Sequence, residues 1–486
     1  MLGLPSIRPR LLLLLYLSWL ALAGAGCRAV PPPPDANAPA PPAAQAAPRT
    51  GAPPVPSTSN AAHWLAAQLN RPSAASPAAR AFYGPAPALA WTAAPPADTL
   101  GAAARDLLAL LAQASDYGLR PTTYALPQLR ALRDSLAVRA PKAAGAARRA
   151  AQLARFDLSL TRAALAFAGD LRGGRPRPAG PAAAALRAAL ATPALRAALL
   201  AAQPTNREYR QLQLALARWL ARVGPPDSAA PLQRARFERV ALNLVRWRAA
   251  PLAEAEYLLI NIPAFEMQVV RHDTVLRRYR VIVGKPATPT PTLSSRLKYF
   301  TLGPVWTVPY SIATKEMLPR LQNDPGFLDE ENLTLYDGRH RVRDPREVDW
   351  STVKAATFAY GLQQDSGPRN ALGNYVFHFP NPYLVYLHDT PQRQAFTRPN
   401  RALSHGCIRL EHPRELAAWL LRREANSTPL ITPAQARQSP PQNILLRRPL
   451  PIFIRYATAT AENGRLRFYP DVYGSDQALH EALYCR

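Results

Sequence analysis

Cysteine is nearly absent from this 486-residue chain. There are three: Cys27, Cys407 and Cys485. So sparse and odd a set excludes a disulfide framework. Lysine is equally scarce, with five among 59 basic residues and arginine making up the other 54. No basic run is interleaved with aromatic residues and no nucleic-acid motif occurs, so a nucleic-acid partner is not expected. No apolar run is long enough for an ordinary membrane span. The longest candidate, Leu11 to Leu22, falls short of the roughly 20 residues required. The histidines are not at compact zinc spacings, and no metal or cofactor is expected.

Proline and alanine are abundant instead, with 53 prolines, and the formal net charge is +27. That charge favours anionic surfaces in a general way, although a composition rich in Ala, Pro and Arg accounts for it equally well. Arg8 and Arg10 precede the Leu11–Leu22 run, and the small residues Ala23-Gly24-Ala25-Gly26 follow it. This is an export signal over residues 1–26. Three outcomes stay open: soluble export, lipidation of Cys27, and an uncleaved anchor. Residues 27–60 are a Pro/Ala-rich linker.

Residues 61–250 have helical periodicity, as in Leu107, Leu108 and Leu111 and in Leu153, Phe156 and Leu160. They predict an all-helical scaffold with a packing role. From Tyr257 the period changes to that of strands. Tyr257–Ile262, Phe265–Val269 and a run ending in Val281-Ile282-Val283-Gly284 form a meander, with a turn at His272-Asp273-Thr274. Residues of about 310–366 interrupt the pattern and are expected to form an insertion or lid. Strands resume at Tyr375–Phe379 and Tyr383–His388, a helix follows at about 414–422, and Pro451–Thr458 and Arg465–Tyr469 flank Glu462-Asn463-Gly464 as a late hairpin. A β-rich domain is expected over 251–478 and a tail over 479–486. The fold class is multidomain α+β.

The chemistry concentrates in Ser404-His405-Gly406-Cys407-Ile408-Arg409-Leu410. A free thiol is only a few per cent ionised at neutral pH and needs a base or a positive environment. His388 ends the preceding strand and is the candidate base. Alternation puts Tyr386 on the same face as His388. The backbone N–H groups of Gly406 and Cys407, with the Tyr386 hydroxyl, are a candidate oxyanion hole. Simpler readings compete with each of these. Cys407 can be a small buried hydrophobe, and His388 a satisfied core residue. His405 can orient the turn or share in catalysis. Ser404 can bond the local backbone or face substrate. Arg409 can bind a substrate carboxylate or pair with Glu411 or Glu415.

His388, fifteen intervening residues, then Ser404-His405-Gly406-Cys407-Ile408 resembles the signature of the L,D-transpeptidase (YkuD-type) family, the cysteine enzymes that cross-link peptidoglycan. Arg409, where many members carry Asn, resembles the large scaffold-bearing Gram-negative branch. So do Asn261-Ile262-Pro263-Ala264-Phe265, Trp306-Thr307-Val308-Pro309 and Tyr386-Leu387-His388-Asp389-Thr390. The resemblance implies a β-rich catalytic domain with a lid on a helical scaffold. It implies Cys407 as nucleophile, His388 as base, and Tyr386 in the oxyanion hole; Ser404, Arg409 and Trp306 are candidate substrate-binding positions beside them. It further implies a periplasmic enzyme whose partners are peptidoglycan peptide stems. A tetrapeptide donor would lose its terminal D-Ala to a diaminopimelate amine, and carbapenems would acylate Cys407. Membrane contact would come only through a lipid or signal anchor. The small peptidoglycan-binding domain of similar proteins has no clear counterpart between about 175 and 235.

Overall fold

The computed structural model describes residues 61–71, 75–92, 100–137, 144–173, 178–226, 230–430, 435 and 440–484. The export signal, the linker, Cys27 and Cys485 lie outside the described residues. None of the described helices is long and apolar enough to cross a membrane.

The helical half runs from Ala61–Leu69 to Pro231–Ala249. Its leucines at helical spacing point inward: Leu107, Leu111, Phe156 and Leu160 are fully buried in one core. Burying each such side chain is worth about 1.5–3 kcal/mol. One polar pin crosses this core. Asp157 and Thr161, both on helix Ala144–Leu171, lie one helical turn apart on the same face. Asp157 accepts from the Tyr83 hydroxyl at 2.6 Å and from the Trp91 N–H at 2.8 Å. Thr161 accepts from the Trp91 indole at 2.8 Å. Burial pushes the Asp157 carboxyl up, and the Tyr83 hydroxyl and the N–H groups of Trp91 and Ala90 oppose it.

The β-rich half is built on strands numbered in chain order: β1 Glu256–Asn261, β2 Glu266–Arg271, β3 Thr274–Gly284, β4 Leu293–Leu302, β5 Trp306–Thr307, β6 Leu333–Tyr336, β7 Val342–Arg343, β8 Gly361–Gln364, β9 Tyr375–His378, β10 Leu387–His388, β11 Ala402–Ser404, β12 Ile408–Leu410, β13 Gln442–Arg455, β14 Ala459–Glu462 and β15 Arg465–Phe468. Eight of them follow one another as β3-β12-β10-β9-β4-β13-β1-β2, and β2 pairs back onto β3. The sheet therefore closes into a barrel, which removes its edges. β11 attaches at the end of β3, through Ala402 opposite Val283. Alternation separates two faces. Leu258, Ile260, Val281, Phe300, Phe377, Leu387 and Ile408 fill the interior, together with Leu416 and Leu420 of helix Pro413–Arg423. Tyr257 and Leu259 face outward, into a second core with helices Arg207–Val223 and Pro231–Ala249. That core joins the two halves.

Between β4 and β9 the chain leaves the barrel. It forms a separate sheet, β5-β8-β6-β7, with its own core around Leu321, Leu328, Leu335 and Trp350. This is the lid. Its helical segment spans Tyr310–Asn323 and contains one wide turn, Ala313–Met317. Pro319 has no N–H to give to the carbonyl four residues earlier, which favours such a turn.

Three expectations are revised. The Asn463-Gly464 turn does close a hairpin, with both residues at positive φ. Its first strand is β14, because Pro451–Arg455 belongs to β13 and pairs in parallel with β1. Residues 479–484 are not a tail but part of helix Ser475–Tyr484. Asp476 in its first turn anchors it, accepting from Arg246 at 2.5 Å and from Thr458 at 2.7 Å. Finally, the strand expected from Tyr383 begins only at Leu387. Asn381 captures the preceding loop instead: its Oδ1 accepts the N–H groups of Tyr383 and Val385, and its amide donates to the Val385 carbonyl at 2.7 Å. Leu384 sits at φ +56° within that loop.

Candidate active site

β10 and β12 run parallel, with Leu387 opposite Ile408 and His388 opposite Arg409. Leu387 and Ile408 point into the barrel and are fully buried. By alternation, Tyr386, His388, Cys407 and Arg409 all stand on the outer face. The Ile408 N–H donates to the Tyr386 carbonyl at 3.0 Å, which puts Tyr386 beside Cys407. Two short strands thus gather four of the residues singled out in the sequence.

The thiol turn is held from below. Gly406 has φ +120°, a conformation that disfavours any side chain. The Ser404 hydroxyl accepts from the Gly406 N–H at 3.2 Å and donates to the Cys407 carbonyl at 2.5 Å. Ser404 is 2% exposed, and both of its hydroxyl's hydrogen bonds are spent within the turn. One of them occupies the Gly406 N–H. Of the three expected oxyanion donors, the Cys407 N–H and the Tyr386 hydroxyl are left, and the Cys407 N–H has no partner among the described residues.

A second brace comes from residues 285–290. Thr290 Oγ1 donates to the Gly406 carbonyl at 2.8 Å and accepts from the Gly284 N–H at 2.8 Å. Thr288 Oγ1 and the Lys285 N–H both donate to the Ser404 carbonyl. Tyr473 ties the loop down by donating to the Gly284 carbonyl at 2.6 Å. A Cβ on Gly284 would lie 2.1 Å from the Thr288 carbonyl oxygen and 2.8 Å from the Thr290 nitrogen. Gly284→Ala is therefore expected to dislodge the 285–290 loop, at about 1–3 kcal/mol for an overpacked site. Thermal melting and the labelling rate of Cys407 would show it, and an unchanged labelling rate would count against the brace.

Electrostatics bias the pair. Burial pushes the Cys407 thiol up, while the Tyr386 N–H and hydroxyl, and then the Arg409 guanidinium, pull it down. His388 is 5% exposed. Burial first and Arg409 second push its imidazole down to about 3, and the Asp389 backbone offsets this in part. His388 is thus neutral at neutral pH, as a proton acceptor must be. Its Nδ1 has no hydrogen-bond partner among the described residues, and no hydrogen bond joins it to Cys407. Tyr386 is packed edge-on to His388, with ring centres 5.7 Å apart. Burial pushes its phenol up, as does the neighbouring Cys407, while the Trp306 indole of the lid opposes.

Arg409 settles onto neither Glu411 nor Glu415. It donates to Gln392 Oε1 at 2.7 Å, and Glu411 pairs with Arg280. Burial pushes its guanidinium down and Cys407 opposes. The Nε2 of His405 lies 2.5 Å from Oε1 of the lid residue Glu316.

Several supports of the site are not evident from the sequence. Asp389 is 1% exposed and binds the N–H groups of Asn374 and Thr390 as well as Arg393, which locks the end of β10. Its position directly after His388 is the one local signal. Thr288, Thr290, Gln392, Tyr473 and Glu316 carry none, because only the closed barrel brings them to the turn.

Residues 255–432 match the L,D-transpeptidase catalytic domain (YkuD), and residues 77–216 match the Scaffold domain. A Haemophilus influenzae protein, provisionally named an L,D-transpeptidase, is 34% identical over 249 residues. The match takes in 50% of this chain and 49% of that protein, so the chain spans about half the length of the curated relative it matches. Among solved structures, an L,D-transpeptidase from Mycobacterium smegmatis has 16% identity and a TM-score of 0.19, over 41% of this chain and 58% of that one. L,D-transpeptidase 1 of Mycobacterium tuberculosis has 17% identity and a TM-score of 0.17, over 41% and 61%. At those scores the superpositions carry no weight beside the domain matches. The chain therefore carries an L,D-transpeptidase catalytic domain over residues 255–432, behind a Scaffold domain over residues 77–216.

Proposed function

We propose that the protein is a peptidoglycan L,D-transpeptidase working through a cysteine acyl-enzyme. The observation that carries this reading is the outer-face cluster of Tyr386, His388, Cys407 and Arg409, gathered where two adjacent parallel strands begin. Cys407 attacks the carbonyl before the terminal D-Ala of a tetrapeptide stem. The thiol proton passes to His388, which is already neutral, and from there to the departing D-Ala amine. The oxyanion is met by the Cys407 N–H and the Tyr386 hydroxyl. One such donor is worth about 10²–10³ in rate. The thioester then passes to a diaminopimelate side-chain amine, giving a direct cross-link between two diaminopimelates.

His388 and Cys407 are not hydrogen-bonded at rest, and such contacts often tighten only in the substrate complex. Export to the periplasm follows from the Leu11–Leu22 signal and belongs to the same proposal. Resolution of the acyl-enzyme by water or a free D-amino acid uses the same first step. Attachment of a protein amine would do so too.

Arg409 has a measurable part here. Its charge favours the thiolate and disfavours the imidazolium. Arg409→Met is expected to raise the pH at which Cys407 is alkylated by iodoacetamide and to slow alkylation several-fold at neutral pH. An alkylation profile identical to wild type would remove Arg409 from the electrostatics of the thiol.

A further inference from the structure

The thiol chemistry leaves one charged contact of the site unused. Glu316 lies in the wide turn Ala313–Met317 of the lid, and its carboxylate meets His405 at 2.5 Å. It is the only carboxylate hydrogen-bonded to residues 404–407 among the described residues. The other acids nearby are engaged elsewhere. Asp389 is buried under Arg393 and backbone donors, and Glu411 pairs with Arg280. Both members of the contact are open to solvent: the side chains of His405 and Glu316 are 36% and 49% exposed. A bond this accessible adds little to stability. Wide helical turns concentrate at functional sites, and this one sets Glu316 against the thiol turn. One residue, Gly406, separates His405 from Cys407, so their Cα atoms are at most about 7 Å apart.

Cys407 with Tyr386 and His388 accounts for opening the donor. Resolving the thioester needs something different. An amine acceptor arrives at neutral pH as an ammonium ion, which must be held and then relieved of a proton before it can attack. Water needs neither. A carboxylate–imidazole pair beside the thioester supplies both services, the carboxylate as counter-ion and the imidazole as proton acceptor.

We infer that the Glu316–His405 pair is the acceptor-amine site and decides between amine and water. This rests on the transpeptidase reading above. The acceptor ammonium gives one proton to His405, whose imidazolium Glu316 steadies. The free amine attacks the thioester carbonyl, the C–S bond breaks, and an amide bond forms. The second amine proton goes to the Cys407 sulfur, and the His405 proton returns to solvent. Glu316 comes from the lid, so this site is complete only when the lid contacts the thiol turn.

The experiment uses the full chain with purified disaccharide-tetrapeptide as both donor and acceptor. D-Ala released in the first turnover measures acylation, and the ratio of dimer to tripeptide product measures the choice of acceptor. Glu316→Gln keeps the size of the side chain and removes its charge. The ratio of dimer to tripeptide is expected to fall at least tenfold, well beyond any change in D-Ala release, and the acceptor concentration giving half-maximal dimer to rise. A ratio within twofold of wild type overturns the inference. So does a loss shared equally by acylation and cross-linking, since that marks general damage to the site. Wild-type protein that releases no D-Ala overturns the transpeptidase reading itself, and this inference with it.

Discussion

Cys407→Ala protein incubated with tetrapeptide muropeptides is expected to give no cross-linked dimer and no D-Ala release. Cys407 is the free cysteine among the described residues. It stands on the outer face of the barrel beside Tyr386, and its own N–H has no partner among the described residues. No other nucleophile shares that position. The Ser404 hydroxyl is committed to the turn by two hydrogen bonds. Removing the sulfur removes the acyl-enzyme, and residual positioning cannot replace a missing covalent step. The fold should survive, since Cys407 is only partly buried and the turn is held by Ser404, Thr288 and Thr290. Equal dimer formation by the Ala variant would sink the mechanism. Mass spectrometry of wild-type protein after carbapenem treatment adds a second check. A folded protein that gains no adduct at Cys407 would favour a non-catalytic wall-binding role.

His388→Gln is the second large effect. Loss of a general base typically costs about 10²–10⁴ in rate, and D-Ala release should fall by that order. The variant also changes how stability depends on pH. Burial and Arg409 hold the folded-state pKa of His388 down at about 3, against about 6.5 in an unfolded chain. A depressed folded value means that the unfolded chain takes up the proton first. The wild-type contribution is therefore fully present above about pH 6.5 and is lost as pH falls toward about 3. Gln does not titrate, so this part of the acid sensitivity should disappear. Melting temperatures of the two proteins from pH 7 to pH 4 would converge or cross if the assignment holds. Parallel curves across that range would mean that His388 is not held neutral by burial.

The parts of the site that lie close in the chain are legible in the sequence. Ser404 to Arg409 is one turn and one strand, and His388 with Tyr386 is a two-residue spacing along a strand. Local geometry alone puts each group on its proper face. The helical half is legible for the same reason, since an apolar stripe such as Leu107, Leu108 and Leu111 reports its period directly. The hairpin at Asn463-Gly464 shows the limit. The turn residues require positive φ and announce themselves, while the strand that enters the turn depends on where β13 stops pairing with β1.

What the sequence determined by itself was the set of candidate groups: the Cys407 thiol, an imidazole and a phenol at strand spacing, and the motif of an L,D-transpeptidase catalytic domain. Only the tertiary structure decided which neighbours those groups have. It committed the Gly406 N–H to Ser404, turned Arg409 toward Gln392, and set Glu316 of the lid against His405. The reason is physical. A side chain's face follows from the period of its own element, but its partners come from other elements, and here barrel closure joins residues more than a hundred positions apart. Thr290 and Gly406 are 116 residues apart in the chain and 2.8 Å apart in the fold.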